Sequence, residues 1–154
     1  MKSEVVSPGY WNRPEESAAA RQDGWFRTGD LVRRDKEGFY YVVDRKKNMF
    51  ISGGENVYPA EVERCLAEHD SIEEVAVIGV EDERWGEVGH AFVVCRSGRS
   101  FDFATLTEFC RSRLARFKTP RHLTLLSEIP RNAAGKVDAA RLRSLRHSSE
   151  EESE

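Results

Sequence analysis

Three short segments of the sequence have residue types that could serve chemistry. Ser52-Gly53-Gly54-Glu55-Asn56 is a glycine loop, expected between a strand and a helix, where backbone amides can approach a ligand closely. Asn132-Ala133-Ala134-Gly135-Lys136 is a polar turn that ends in a lysine, and Thr28-Gly29-Asp30 places a carboxylate after a tight turn. Taken singly, each also has an ordinary interpretation: a turn before a helix, a surface lysine and a turn-stabilising aspartate.

Spacing excludes several other kinds of site. The Gly135-Lys136 pair does not belong to a phosphate-binding P-loop, because that motif requires a glycine five residues before Gly135, where the chain has Pro130. Neither a Gly-x-Ser-x-Gly nucleophile elbow nor a cysteine–histidine nucleophile pattern occurs. The sequence also predicts no metal site, because no paired or HExxH spacing joins its histidines, His69, His90, His122 and His147.

Composition and charge indicate a globular protein with a modest core. Of the 154 residues, 39% are hydrophobic and 33% are charged. The formal net charge is −3, and the glutamates at positions 150, 151, 152 and 154 account for its sign. A nearly neutral folded part is unlike a nucleic-acid binder, which has a basic stripe. Because no apolar run approaches roughly 18 to 20 residues, we expect no transmembrane segment.

The cysteines and the first residues indicate the cellular compartment. Cys65, Cys95 and Cys110 are an odd number at spacings that fit neither a disulfide framework nor a zinc site. Cys110 stands at helical spacing from Leu106, which favours a buried thiol. Residues 1–8 contain no apolar signal-peptide core. We therefore expect a reducing, cytoplasmic environment.

The elements that would position the polar segments differ along the chain. Strand-like runs at 25–28, 31–33 and 39–43 have no partner helix and are typical of the edge of a larger sheet. The polar and acidic segment 147–154 predicts a disordered tail. From Asp44 the pattern predicts a small α+β domain with a short antiparallel sheet and about three helices. Its expected elements are strands near 49–51, 75–80, 91–95 and 122–126 and helices near 59–69, 103–116 and 139–145.

Taken in order, three long motifs resemble the adenylate-forming (AMP-binding) superfamily, which includes acyl-CoA synthetases, peptide-synthetase adenylation domains and luciferases. They are residues 9–15 with 24–31 (GYWNRPE and GWFRTGDL), residues 44–63 (DRKKNMFISGGENVYPAEVE) and residues 129–136 (IPRNAAGK). The middle motif is similar to the hinge and glycine loop of fatty or aryl acyl-CoA synthetases. The last is similar to the motif that contains the adenylation lysine.

The resemblance implies roles for individual residues. Lys136 would be the catalytic lysine that bridges the carboxylate substrate and the α-phosphate while the acyl-adenylate forms. Asp30 would accept hydrogen bonds from the ribose of ATP, and Arg45 would help to hold the nucleotide. Lys47 would be the hinge between two poses of a lid, and a lysine there favours a ligase that uses free CoA. In the second pose, a channel for the pantetheine of CoA would be lined by Gly53, Gly54, Trp85, Phe117 and Lys118. Trp85, Phe117 and Lys118 fit an ordinary place in the core or at its rim equally well.

The resemblance also implies the organisation of the chain. Residues 1–43 would be a remnant of the large N-terminal adenylation domain, 44–146 the C-terminal lid domain and 147–154 a tail. In this family the phosphate-binding loop and the acyl pocket lie in the large domain. We therefore expect a part of an ATP-dependent carboxylate–CoA ligase that is inactive alone and binds neither Mg-bound ATP nor CoA tightly. Its partners would be the large domain, a carboxylic acid, ATP and CoA. The open alternative is a stand-alone, non-catalytic module that docks on a partner adenylation domain or on CoA.

Overall fold

The computed structural model describes the backbone of residues 1–151 and the side chains of residues 1–146. The chain divides into two compact units, Met1–Lys47 and a second unit that begins at Asn48. This division falls two residues after the last strand of the first unit, which ends at Arg45, and the domain boundary expected at Asp44 stays a prediction.

The first unit consists of one short helix and two antiparallel hairpins. Asp23 and Gly24 have positive φ angles of 52° and 77°, as a two-residue hairpin turn requires. Among residues 1–47, Asp44 alone is buried, so this unit has no hydrophobic core of its own. Its elements are α1 (Pro14–Ala19), β1 (Arg21–Gln22), β2 (Trp25–Phe26), β3 (Asp30–Arg34) and β4 (Tyr40–Arg45).

The second unit is built on a five-stranded sheet. Its strands are β5 (Phe50–Ser52), β6 (Glu55–Val57), β7 (Ile72–Asp82), β8 (Gly86–Cys95) and β9 (His122–Leu125). The long strands β7 and β8 form an antiparallel hairpin, and β5 and β9 both pair with β8. Only the β8–β9 pairing is parallel among the strand pairs of the described residues. The helices are α2 (Pro59–Ala67), α3 (Phe103–Arg111), a 3₁₀ helix (Arg116–Lys118) and α4 (Ala139–Glu151).

Both faces of this sheet are covered. On β7, Val77 belongs to a cluster with residues of α2 and α3, whereas Ile78 belongs to a cluster with Leu142 of α4. This division follows from the two-residue period of a strand, which points neighbouring side chains to opposite faces. Burial raises the pKa of the Cys65 thiol and raises that of Cys110 to about 12, so both thiols stay protonated near neutral pH.

The predicted fold class, a small α+β domain with a short antiparallel sheet and about three helices, is confirmed. Three details differ from the expectation. Residues 55–57 form a strand, so the glycine loop does not lead directly into a helix. The helix expected over 103–116 ends at Arg111. The last helix extends to Glu151, which includes the start of the predicted tail, and residues 152–154 of that tail lie outside the described residues.

Candidate functional site

The glycine loop is a two-residue turn that joins β5 to β6. Ser52 pairs with Glu55 across it, and both glycines have positive φ, 60° for Gly53 and 87° for Gly54. This conformation is strained for any residue with a Cβ. A Cβ at Gly53 would lie 2.8 Å from the ring of Trp85, whereas a Cβ at Gly54 would meet nothing within 4 Å. The indole of Trp85 therefore packs directly against the backbone of Gly53.

Trp85 is positioned by the tight turn between β7 and β8. Asp82 Oδ1 accepts hydrogen bonds from the backbone N–H groups of Arg84 (2.9 Å) and Trp85 (2.8 Å). The Trp85 carbonyl accepts a hydrogen bond from the N–H of Gly53 at 2.9 Å. The guanidinium carbons of Arg84 and Arg121 lie 5.0 Å and 5.5 Å from the centroid of the indole, within the range of cation–π attraction. The indole is thus fixed by its own backbone and bordered by two cations.

An open depression of about 370 Å³ brings Trp85 together with Phe117 of the 3₁₀ helix. No acidic side chain is among the described residues that line it. Aromatic rings combined with guanidinium groups suit a phosphorylated ligand that also has a flat or apolar part. The remaining lining residues are Ser52, Arg84, Arg116 and Arg121.

Lys118 does not line this depression. Its ammonium group binds both carboxylate oxygens of Glu61, at 2.7 Å and 2.9 Å, and Glu61 lies in the first turn of α2. Since the two side chains are only 22% and 38% exposed, the pair fastens the 3₁₀ helix to α2. Of the residues expected in a CoA channel, Gly53, Trp85 and Phe117 lie together, and Lys118 is engaged by a carboxylate.

A second open depression, of about 600 Å³, adjoins the first because Arg116 and Arg121 line both. One wall of it is α3, where Phe103, Thr107 and Arg111 follow one another at intervals of four residues and so share a helix face. Within residues 1–146, whose side chains the structure describes, no acidic residue lines this depression either. This depression was not predicted from the sequence. The four-residue spacing of these three residues could have shown that they share one face of α3.

Asp30 and Arg45 are paired across β3 and β4. Arg45 Nε lies 3.0 Å from Asp30 Oδ1, and the side chains remain 50% and 25% exposed, respectively. Thr28 Oγ1 accepts a hydrogen bond from the Asp30 N–H at 3.2 Å, and the Gly29 carbonyl accepts one from the Lys46 N–H at 2.8 Å. The guanidinium group orients the carboxylate, which keeps further lone pairs to accept hydroxyl protons of a ligand.

Lys47 is an exposed residue in a turn and is the last residue of the first unit. The turn contributes to an open depression of about 510 Å³ on that unit, and the described side chains that line it include three cations and no carboxylate. Such a lining suits a phosphate group. The lining residues are Thr28, Gly29, Arg45, Lys46 and Lys47.

Lys136 closes a turn whose backbone is fixed by hydrogen bonds. The N–H groups of Ala134 and Lys136 both donate to Asn132 Oδ1, at 2.9 Å and 3.1 Å, and the Asn132 N–H donates to the Lys136 carbonyl at 2.8 Å. Gly135 has a φ of 73°, which the turn requires. The Lys136 side chain is exposed, and within the side chains the structure describes it has no ion-pair partner. The turn thus presents an ammonium group on a fixed backbone.

An arginine anchors this turn to the sheet. Arg131 Nη1 donates to the Gly135 carbonyl at 3.2 Å, and Arg131 Nη2 lies 2.9 Å from Glu74 Oε2 on β7. Trp85 follows the opposite end of the same strand, after Asp82. Asp82 lies eight positions after Glu74 along the extended strand, a distance of about 26 Å. The lysine turn and the Trp85 cluster are therefore anchored at opposite ends of the β7–β8 hairpin.

Two further kinds of feature are absent from the part of the chain that the structure describes. Among these residues, no group of three or more histidine, cysteine, aspartate or glutamate side chains is arranged to hold a metal ion. No helix in the same part combines the length and apolar character of a membrane span.

Comparison with known proteins identifies the family to which part of the second unit is similar. Residues 61–136 match the family of AMP-binding enzyme C-terminal domains. The chain is 52% identical over 137 residues to 2-succinylbenzoate–CoA ligase of Geobacillus kaustophilus, a match that covers 89% of this chain and 28% of the ligase. It is 48% identical over 142 residues to long-chain-fatty-acid–CoA ligase of Bacillus subtilis, covering 92% and 25%. The chain thus spans about a quarter of the length of the curated relatives it matches.

Solved structures agree with this assignment. The o-succinylbenzoate CoA synthetase of Bacillus subtilis, in complex with its acyl-adenylate intermediate, matches with a TM-score of 0.85 at 43% identity and covers 92% of this chain and 29% of that one. An amide bond synthetase of Marinactinospora thermotolerans matches with a TM-score of 0.87 at 35% identity, covering 94% and 30%. The chain therefore belongs to the adenylate-forming superfamily, and its residues 61–136 belong to the family of AMP-binding enzyme C-terminal domains.

Proposed function

We propose that this chain is the C-terminal part of an ATP-dependent carboxylate–CoA ligase. In such a ligase a carboxylate oxygen attacks the α-phosphate of Mg-bound ATP, which releases pyrophosphate and forms acyl-AMP. The sulfur of CoA, after losing its proton, then attacks the acyl carbon, forms the thioester and releases AMP. The observation that supports this most strongly is the placement of two different sites, the Lys136 turn and the Trp85 cluster, at opposite ends of one hairpin.

In the first reaction, Lys136 would offset negative charge as the carboxylate approaches the α-phosphate. Two like-signed groups must be brought together, and a fixed ammonium group between them stabilises the transition state more than the separated reactants. The exposed side chain and the hydrogen-bonded turn suit this role, because the backbone is held while the ammonium group has no competing carboxylate among the described side chains.

The nucleotide would be held partly by the first unit. The Asp30 carboxylate, oriented by Arg45, is suited to accept hydrogen bonds from the two ribose hydroxyls. The cationic depression next to Lys47 is suited to phosphate oxygens. Both features lie within residues 28–47, where the sequence motifs predict nucleotide contacts.

In the second reaction, the pantetheine arm would pass over the turn at Gly53 and Gly54. Gly54 has open space where a side chain would stand, so the arm can approach the backbone there. The Trp85 and Phe117 rings offer apolar surface beside it. This assignment replaces the expected contact from Lys118 with the arginines around Trp85, because Glu61 already engages Lys118.

Because the Lys136 turn and the Trp85 cluster are far apart, the second unit would need two poses to use both. With about 26 Å of strand between their anchors, the Lys136 turn and the Trp85 cluster cannot both adjoin one acyl carbon. A rotation at Lys47, the last residue of the first unit, would bring first one and then the other of these two sites to the reacting carbon. The hinge is thus part of the proposal, and adenylation and thioester formation would use different poses.

The proposal includes a large N-terminal adenylation domain as the partner of this chain. The first unit has no core, and its exposed aromatic side chains, among them Phe39, Tyr40 and Tyr41, suit burial against a larger sheet. The relatives are about three to four times longer than the matched segment. The phosphate-binding loop and the acyl pocket would belong to that domain, and they would determine which acid is used.

The three cysteines, all free thiols, fit a reducing compartment.

A reconstitution experiment tests this function. The large domain of a related ligase is supplied as a separate chain or fused ahead of residue 1, and AMP release is measured with ATP, CoA and a panel of carboxylic acids. We expect no turnover from this chain alone and acid-dependent AMP release from the combination. Acid-independent or absent AMP release from a combination that forms a stable complex would favour the non-catalytic docking module and contradict the ligase.

A further inference from the structure

We infer that Arg131 and Glu74 are positioning residues for acyl-AMP formation, because their ion pair ties the Lys136 turn to strand β7. This rests on the proposed function, in which the Lys136 ammonium group acts on the reacting carboxylate and α-phosphate. The observation behind it is one guanidinium group with two contacts. Arg131 Nη1 donates to the Gly135 carbonyl at 3.2 Å, and Arg131 Nη2 lies 2.9 Å from Glu74 Oε2.

The hydrogen bonds inside the lysine turn set its shape but not its position on the sheet. Asn132 Oδ1 accepts from the N–H groups of Ala134 and Lys136, and the Asn132 carbonyl accepts from the Gly135 N–H at 2.8 Å. Each of these bonds joins one residue of the turn to another. They would all be kept if the turn moved as a body relative to β7.

Burial also does little to hold the turn. Residues 131–137 are all exposed, so they bury little apolar surface, and the chain is anchored before them by the buried Ile129. Arg131 and Val137 form an isolated antiparallel bridge, and the Asp138 N–H donates to the Pro130 carbonyl at 2.8 Å. Both contacts connect the two ends of the turn to each other, and neither joins the turn to β7. The Arg131–Glu74 pair makes that connection.

Glu74 is a firm point of attachment. Its backbone pairs with Val94 of β8, and Ile72 and Ala76, two positions to either side, are each only 1% exposed. The ion pair itself is accessible to solvent, with the Arg131 and Glu74 side chains 49% and 45% exposed. Because solvent screens such a pair, it contributes little to stability. Its loss should therefore move the lysine turn without unfolding the second unit.

The position of the turn matters because Lys136 must meet two negative groups at once in the transition state. A misplacement of about 1 Å in a reacting geometry can cost about 10²-fold in rate. The lysine side chain is a flexible four-carbon stem, so it can offset part of such a shift. We therefore expect a smaller loss from breaking the anchor than from removing the ammonium group.

The reconstituted ligase, with this chain in full length, tests the role of the pair. Glu74→Ala and Arg131→Ala break it from either side, and Glu74→Gln keeps an acceptor oxygen. Glu73→Ala, at the neighbouring exposed glutamate of β7, is the matched control. Pyrophosphate release from ATP and acid gives kcat and KM for the first reaction. Thioester formation from supplied acyl-AMP and CoA reports the second.

We expect Glu74→Ala and Arg131→Ala each to lower kcat of the first reaction by about threefold to tenfold, a modest effect because the pair is exposed. The KM for ATP and the rate of thioester formation should not change, since the lost contact acts on the transition state of the first reaction. The double variant should be no slower than the slower single variant, because all three remove the same connection. Glu74→Gln should retain part of the rate, and Glu73→Ala should behave as the unchanged chain.

An unchanged kcat in Glu74→Ala would overturn the inference and leave the proposed function intact, as long as pyrophosphate release still depends on Lys136. A loss in Arg131→Ala alone would also overturn it, because Arg131 would then contact the substrates directly. Equal losses in both reactions would show a general structural role instead. If the unchanged reconstituted ligase releases no pyrophosphate with any acid, the proposed function fails and the positioning role fails with it.

Discussion

Gly53 and Gly54 share one turn but differ in what surrounds them. Both have positive φ, so a Cβ at either position adds backbone strain. Only at Gly53 would the Cβ also collide with another side chain, the ring of Trp85. A glycine pair in a sequence indicates a turn, but it cannot show which glycine lies under an aromatic ring, because that depends on the remote β7–β8 turn.

Alanine substitutions at Gly53 and Gly54 distinguish the cost of backbone strain from the cost of the steric clash with Trp85. Gly54→Ala should lower the free energy of unfolding by about 1–2 kcal/mol, the cost of the left-handed conformation. Gly53→Ala should cost about 1–3 kcal/mol more, because the indole must move. Urea denaturation of both variants measures this difference. In a Trp85→Ala background the two substitutions should cost the same, and a persisting difference would contradict the proposed contact.

At the scale of elements, most of the second unit was predictable because its strands and helices follow the expected periods. The β7 and β8 positions were recognised from their apolar runs, although the strands are longer than expected. The helix α3 was predicted to continue to Arg116 because Leu114 extends its apolar pattern. In the structure α3 ends at Arg111, and Leu114 packs against the core from the segment that follows. Leu114 therefore reaches the core although it lies beyond the end of the helix, so its helical spacing in the sequence reflects tertiary packing and not a longer helix.

The positions of the candidate residues relative to one another could be predicted only in part. Asp30 and Arg45 are hairpin partners, a pairing that short-range strand and turn patterns favour. The meeting of Trp85, Phe117 and Gly53 joins three remote segments, and the pairing of Lys118 with Glu61 spans 57 residues of sequence. Such contacts depend on how the elements pack, so sequence patterns alone do not specify them.

The N-terminus of α3 provides a test of this element. Asp102 caps the helix, accepting from the Thr105 N–H at 2.7 Å, and hydrogen bonds from the Thr105 side chain and backbone hold the pKa of Asp102 below its usual value. Because the folded-state pKa is lowered, this contribution to stability is complete above the unfolded-state pKa and is lost as pH falls through the folded-state pKa. Asp102→Asn keeps an acceptor but does not titrate.

We therefore expect the free energy of unfolding of Asp102→Asn to fall less than that of the unchanged chain between about pH 5 and pH 3. Urea denaturation at a series of pH values measures the two profiles. Asp70→Asn, at an exposed aspartate in the turn after α2, is the matched control. Parallel profiles for Asp102→Asn and the unchanged chain would show that the cap does not contribute to the acid sensitivity.

At the scale of the whole molecule, the boundary between the units falls at the residue proposed as the hinge. Lys47 is exposed in a turn, and the second unit begins at Asn48. A proline at position 47 would fix its φ near −65° and so favour one backbone state. In a ligase reconstituted with the large domain, Lys47→Pro should preserve one of the two reactions and impair the other. Separate assays of pyrophosphate release and of thioester formation from acyl-AMP measure this, and equal loss or equal retention would count against the hinge.

The central claim is that Lys136 serves acyl-AMP formation and not the transfer to CoA. The most direct measurement compares Lys136→Ala with the unchanged sequence in the reconstituted ligase, using Lys36→Ala, at an exposed turn of the first unit, as the control. Pyrophosphate release from ATP and acid reports the first reaction. Thioester formation from supplied acyl-AMP and CoA reports the second. We predict a loss of about 10² to 10³ in the first rate and little change in the second; an unchanged first rate, or an equal loss in both, would contradict the account.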